Sequence, residues 1–189
     1  MEEIIIVGFG GHAKSLTDSI VRQGKYHVYG YTDVHKSSIS YNYLGTDDVL
    51  QEIYDSGIKN AAIGIGYLGK GRRREEIFDR LKSIGYFLPV IVDPSAIISS
   101  STVLEEGTFI GKNCILNTET YIGKSCIINT GAIVEHETNV SDFSHVSIGT
   151  ILCGNVSVGR GAFIGANATI IQCRSVEAYS IVPAGATVR

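Results

Sequence analysis

Residues 108–128 read TFIGKNCILNTETYIGKSCII, and their spacing decides the architecture of the second half of the chain. Ile110, Leu116, Ile122 and Ile128 recur every six residues. Extended in both directions, the count runs from Val92, Ile98 and Leu104 through Val134, Val140, Val146, Leu152, Val158, Ile164, Ile170, Val176 and Val182 to Val188. Every one of these positions is Ile, Leu or Val, with no insertion. Two residues ahead of each stands a second stripe, mostly small, with Cys114, Thr120, Cys126, Ala132, Ala162 and Ala168 among its members and Arg174 as its exception. A period of six matches neither the 3.5 nor the 3.6 of helical repeats. It suits a short strand plus a turn, with small and branched residues alternating on the inward side. Three such sides close a triangular coil of eighteen residues, and about five coils fit here. Gly111, Gly123, Gly159 and Gly165 follow a stripe residue directly, where a tight corner is expected.

The first half has a different rhythm. Ile4–Val7 reads as a buried strand closed by Gly8-Phe9-Gly10-Gly11, and 13–22 as a helix. A second strand over 28–31 ends at Asp33, a helix capped by Thr46 covers 47–56, and a third strand spans 61–65 before Gly66. A charged helix over 72–84 presents Ile77, Leu81 and Ile84 on one face. Strand–helix alternation of this kind implies a parallel sheet covered by helices. The chain thus divides into a Rossmann-like part, residues 1–91, and a β-helix, residues 92–189.

Composition narrows the function. The net charge of −3 is scattered, without the basic stripe that nucleic-acid binding requires. Cys114, Cys126, Cys153 and Cys173 form no CxxC pair and read as buried free thiols of a reducing compartment. No segment approaches membrane-spanning length, and the opening lacks a signal-peptide pattern. A cytoplasmic protein is expected.

Two motifs carry chemistry. NTGAIVEHE, residues 129–137, continues into TNVSDFSHVSIG, residues 138–149. Neither His136 nor His145 occupies an inward stripe, so both are expected to point outward. A carboxylate beside an imidazole orients it and stabilises its charged form, as a general base near neutral pH requires. Neighbouring residues on a strand point to opposite sides, so His136 and Glu137 need a bulge or turn to meet. Zinc usually wants three protein ligands; with only two histidines in the repeats, no metal site is expected. In the first half, Gly8-Phe9-Gly10-Gly11-His12-Ala13 fits G-x-G-x-x-A between strand and helix, where backbone amides favour a phosphate. Asp33 falls where an acidic residue would hold a ribose. At about half the size of a full dinucleotide fold, this part suits the mononucleotide of a sugar nucleotide. Arg72-Arg73-Arg74 reads as the solvated first turn of its helix.

VGFGGHAK, NTGAIVEHE and DFSHVSIG, with the order of the two parts, resemble the left-handed β-helix sugar O- and N-acetyltransferases, the family of sialic acid acetyltransferases and bacillosamine-pathway acetyltransferases. The resemblance covers nearly the whole chain. It implies acetyl-CoA as co-substrate, no metal, and a homotrimer with active sites between subunits. His136 matches the catalytic base, Glu137 the residue raising its basicity, and Asn129 a polar residue facing the reacting centre. His145, Ala166 and Ala184 would lie against the cofactor, and the Gly154 amide would be an oxyanion donor. Gly10, Gly11, His12, Thr32, Asp33 and Gly66 would line the nucleotide-sugar pocket. The leading expectation is N-acetylation of a nucleotide-linked 4-amino-4,6-dideoxy sugar. O-acetylation of sialic acid, a non-catalytic binding protein and a zinc enzyme are the alternatives. One departure stands out: relatives continue Pro-Ala-Lys, whereas here Val182-Pro183-Ala184 is followed by Gly185.

Overall fold

The computed structural model describes residues 1–37, 41–69 and 72–189. Its first half holds four parallel strands, β1 (Glu2–Val7), β2 (Tyr26–Thr32), β3 (Tyr43–Gly45) and β4 (Asn60–Ile63), in the order β3-β2-β1-β4. Ile4, Ile5, Ile6 and Val7 of the central β1 are fully buried, as a parallel strand covered on both faces requires. Helix α1 (Gly11–Gln23) buries Ala13, Leu16 and Ile20 and ends on Gly24 in a left-handed cap. The expected helix over 47–56 is a 3₁₀ turn, Asp47–Val49, followed by α2 (Leu50–Asp55). Thr46 does sit at its N-cap, but the hydroxyl bonds the Asp48 carboxylate at 3.1 Å rather than a backbone amide. Helix α3 (Arg73–Ile84) buries Ile77, Phe78 and Leu81 and, against expectation, Arg74. Strand β3 has no counterpart in the sequence reading.

Seventeen two-residue strands follow, from Ile91–Val92 to Thr187–Val188. They form three parallel ladders pairing residues eighteen apart, for example Ile127 with His145 and His145 with Phe163. This is a parallel solenoid of about five coils, of the left-handed β-helix type. The aliphatic stripe faces inward, as its period demands. From Ile110 to Val182 it forms one buried column together with Cys114, Cys126, Ala132, Val156, Ala162 and Ala168. Burial pushes the Cys114 thiol up to about 11 and the Cys126 thiol up to about 12. Cys153 is only half-buried and Cys173 exposed, because both occupy corners rather than the inward stripe.

The corners correct the glycine reading. Every sixth residue from Gly107 to Gly185 has a left-handed φ, and non-glycine residues such as Asn113, Ser125, Glu137 and Tyr179 adopt it too. Gly165 is required for a different reason: a Cβ there would stand 2.4 Å from the Ala184 amide nitrogen of the next coil.

The outward residues give each face its own fate. On the packed face, Ile91, Phe109, Ile127 and His145 are buried, and the first three join Ile4, Ile6 and Phe9 in one core. The aliphatic face carries Ile97, Ile115, Ile133 and Ile151 in a ladder, with Ile97 66% exposed. The third face is mainly polar, with Asn139, Ser157 and Ser175. Asp93 fastens α1 to the first coil. Its fully buried carboxylate accepts from Ser19 at 2.7 Å, Ser95 at 2.6 Å and Arg22 at 2.7 Å. Burial alone would raise this acid, but the hydrogen bonds from Ser95 and Ser19 and the Arg22 charge outweigh it and hold it down to about 2. No helix among the described residues is long and apolar enough to cross a membrane.

Candidate active site

The loop after β1 and the loop after β4 face each other across a cavity of about 510 Å³. Gly8 and Gly64 let the two loops touch. A Cβ on Gly64 would lie 2.1 Å from the Gly8 carbonyl oxygen, and one on Gly8 2.3 Å from the Ile65 side chain. Gly10, Gly11, His12, Asp33 and Gly66 line the cavity as expected, and the N-terminus of α1 opens onto it. The Asp33 carboxylate accepts the Phe9 amide, which fixes the loop that would carry a phosphate. Thr32 stands behind the wall, fully buried, its hydroxyl donating to Asp47 at 2.9 Å. Asp47 and Arg73 line the rim as an ion pair at 2.9 Å. No local motif marks Asp47, and the sequence alone makes Arg73 a solvated residue; only the tertiary fold brings the two together.

His12 and Phe109 form a T-shaped ring pair, with a centroid separation of 5.5 Å. Its Nε2 is buried without a hydrogen-bond partner among the described residues. Burial, followed by the charge of Arg74 and the nearness of His145, lowers this imidazole to about 3. It is therefore neutral at physiological pH.

His136 and Glu137 form the second cluster. Glu137 occupies a left-handed corner, φ 58°. That is the turn the pair needs, and the Glu137 carboxylate folds back onto His136 Nδ1 at 3.0 Å. The ring lies directly over Gly154 of the next coil, where a Cβ would approach the imidazole to 2.5 Å. With Nδ1 engaged by the carboxylate, Nε2 is the nitrogen left to accept a proton. The side chain of His136 is half exposed.

His145 has a different setting. It leaves the solenoid interior, as expected, but the first half covers it: only 6% remains exposed. Its Nδ1 bonds the Tyr67 carbonyl, which requires a proton on that nitrogen, and its Nε2 accepts from Asn129 Nδ2 at 3.2 Å. Burial lowers it to about 4. Tyr67 also donates its hydroxyl to the Gly161 carbonyl at 2.7 Å, so one residue straps the first half across two coils.

The expected site residues separate into two corners. His136, Glu137 and Gly154 stack at the corner after the aliphatic face, whereas Asn129, Ala166 and Ala184 stack at the corner before it. A whole side of the coil lies between them. Among the described residues no group of three or more His, Cys, Asp or Glu is placed to hold a metal ion.

Residues 3–81 match the family described as the PglD N-terminal domain. Across the whole chain the structure resembles a mutant of perosamine N-acetyltransferase from Caulobacter crescentus, solved with CoA and GDP-perosamine. The two share 30% identity with a TM-score of 0.94, over 100% of this chain and 89% of that one. The acetyltransferase domain of PglB from Neisseria gonorrhoeae matches with 25% identity and a TM-score of 0.93, over 100% and 92%. With an α/β region ahead of a left-handed β-helix-type solenoid and these relatives, the chain is a left-handed β-helix acyltransferase. Within that class, the chain belongs to the sugar N-acetyltransferase family.

Proposed function

We propose that the chain transfers the acetyl group of acetyl-CoA to the 4-amino group of a nucleotide-linked 4-amino-4,6-dideoxy sugar, with His136 as general base. The observation carrying this reading is the His136–Glu137 pair seated on Gly154, with Nε2 free. Residues 1–91 take the nucleotide sugar in the glycine-walled cavity, and residues 92–189 carry the transfer. The relative from C. crescentus, solved with CoA and GDP-perosamine, supports a nucleotide-sugar substrate and acetyl-CoA as co-substrate.

In the reaction the sugar amine attacks the thioester carbonyl. As the C–N bond forms, a proton of the nitrogen passes to His136 Nε2, and Glu137 offsets the imidazolium charge. The Gly154 amide is the candidate donor to the tetrahedral oxyanion. Collapse breaks the C–S bond, and the imidazolium returns its proton to the CoA thiolate. Holding both substrates in one cleft supplies much of the remaining rate.

A homotrimer completes this site. The aliphatic ladder of Ile97, Ile115, Ile133 and Ile151 lies between the two corners that hold the expected site residues. Packing that ladder on a neighbouring copy brings the His136 corner of one subunit to the Asn129, Ala166 and Ala184 corner of the next. Ile133→Lys is expected to give monomers by sedimentation, with circular dichroism retained and turnover lost. A trimeric variant with full activity would exclude this arrangement.

The deciding experiment is thiol release from acetyl-CoA with UDP-, dTDP- and GDP-linked 4-amino sugars and with sialic acid and its CMP form. Turnover of an amino sugar, lost in His136→Ala, is the expected result. Turnover of sialic acid alone would move the reaction to a hydroxyl acceptor.

A further inference from the structure

Three neighbouring arginines begin α3, and only one of them is swallowed by the protein. Arg74 is 3% exposed. Its guanidinium donates to the Ile63 carbonyl at 3.0 Å, the Ile65 carbonyl at 2.7 Å and the Ser125 carbonyl at 2.8 Å. The Ile63 carbonyl ends β4 and the Ile65 carbonyl belongs to the loop after it, which walls the cavity through Gly64, Ile65 and Gly66. The third is a left-handed corner of the solenoid, Ser125 at φ 51°. The next residue, Glu75, is turned toward Arg160 at 2.9 Å, and no carboxylate pairs with Arg74 among the described residues.

A buried cation without an anion is costly, and neutral donors satisfy carbonyls at lower desolvation cost. The charge therefore needs a use beyond bracing. Its field reaches both His12, on the cavity wall, and His145, in the junction: after burial it lowers each imidazole, against the Tyr67 bond that raises His145. It thus adds positive potential beneath a cavity whose charged lining is Asp33 together with the Asp47–Arg73 ion pair.

We propose that Arg74 is a positioning residue for the diphosphate of the nucleotide sugar. It fixes the Ile63–Ile65 wall against the solenoid and supplies positive potential from behind that wall, without touching the ligand. The inference rests on the nucleotide-sugar reading of the cavity and sharpens it.

The test is calorimetric titration of UDP, GDP, dTDP and, separately, CoA into the wild type, Arg74→Met and Arg74→Lys, with the thermal midpoint of each. The dissociation constant of the bound nucleoside diphosphate is expected to rise about tenfold in Arg74→Met and about threefold in Arg74→Lys, which keeps the charge. That of CoA is expected to stay within about twofold. A residue that only braces the fold would lower the midpoint in both variants and weaken nucleotide and CoA alike, or neither; either result overturns the proposal. Should Arg74→Met fail to fold, Arg74→Lys decides: unchanged nucleotide affinity sinks the idea. A wild type that binds none of the three nucleotides removes the reading of the cavity and this inference together. A wild type that binds one of them, matched by Arg74→Met, removes the inference alone.

Discussion

The two histidines of the solenoid lie nine residues apart and live in opposite worlds. His145 belongs to a column of apolar residues, Ile91, Phe109, Ile127 and Phe163, covered by the α/β half, with both ring nitrogens occupied. His136 stands at an open corner on a glycine, one nitrogen held by a carboxylate and the other free. The same side chain is a fixed, neutral fastener in one place and the proposed proton acceptor in the other. The setting makes the difference: burial removes the charged form of His145, whereas His136 is half exposed with Nε2 unoccupied.

That contrast is testable, most sharply at His136. His136→Ala is expected to lower kcat by about 10³, the usual scale of general acid–base catalysis, with unchanged denaturant stability. A loss of stability in place of activity would dissolve the contrast.

Acid should act on the other histidine. The folded protein holds His145 at about 4, below its ordinary value, so the unfolded chain binds the proton first. Stability is then full above the unfolded value near 6.5 and is lost as pH falls toward 4. For this one group the loss is on the order of 2–3 kcal/mol, and His12 adds to it in the same direction. Urea unfolding at pH 7 and pH 4.5 measures it, and His145→Gln should flatten the dependence. A wild type and variant with the same pH slope would show that burial does not hold this imidazole neutral.

His145→Leu at pH 7 keeps the apolar column but leaves the Tyr67 carbonyl without its donor. It should cost about 2 kcal/mol in denaturant unfolding. The smallest effect is expected at Gly154→Ala, whose methyl would push His136 aside. A loss of kcat of about tenfold, about 1.4 kcal/mol, with intact stability is the expected outcome.

The sequence shows the solenoid clearly because its stripe repeats one local rule at every sixth residue, and repetition makes weak preferences legible. That His136 and Glu137 need a turn to meet is legible for the same reason, and Glu137 does occupy a left-handed corner. What escaped depends on contacts between distant segments. Arg74 and Arg73 are neighbours in an identical local setting, yet one meets three carbonyls from two distant segments and the other meets Asp47 at the cavity rim. Likewise, His145 reads as outward-facing, and only the placement of Tyr67 shows what covers it. Thr32 fails as a cavity residue because alternation along β2 turns its side chain behind the wall.

The eighteen-residue register also sets a scale. Successive coils stack at the spacing of paired strands, roughly 4.8 Å, so the height between the α/β cavity and the His136 corner changes only in whole coils. A single added residue would throw the inward column out of phase, whereas an added coil preserves it. A solenoid of this kind therefore grows by whole coils and resists the insertion of single residues.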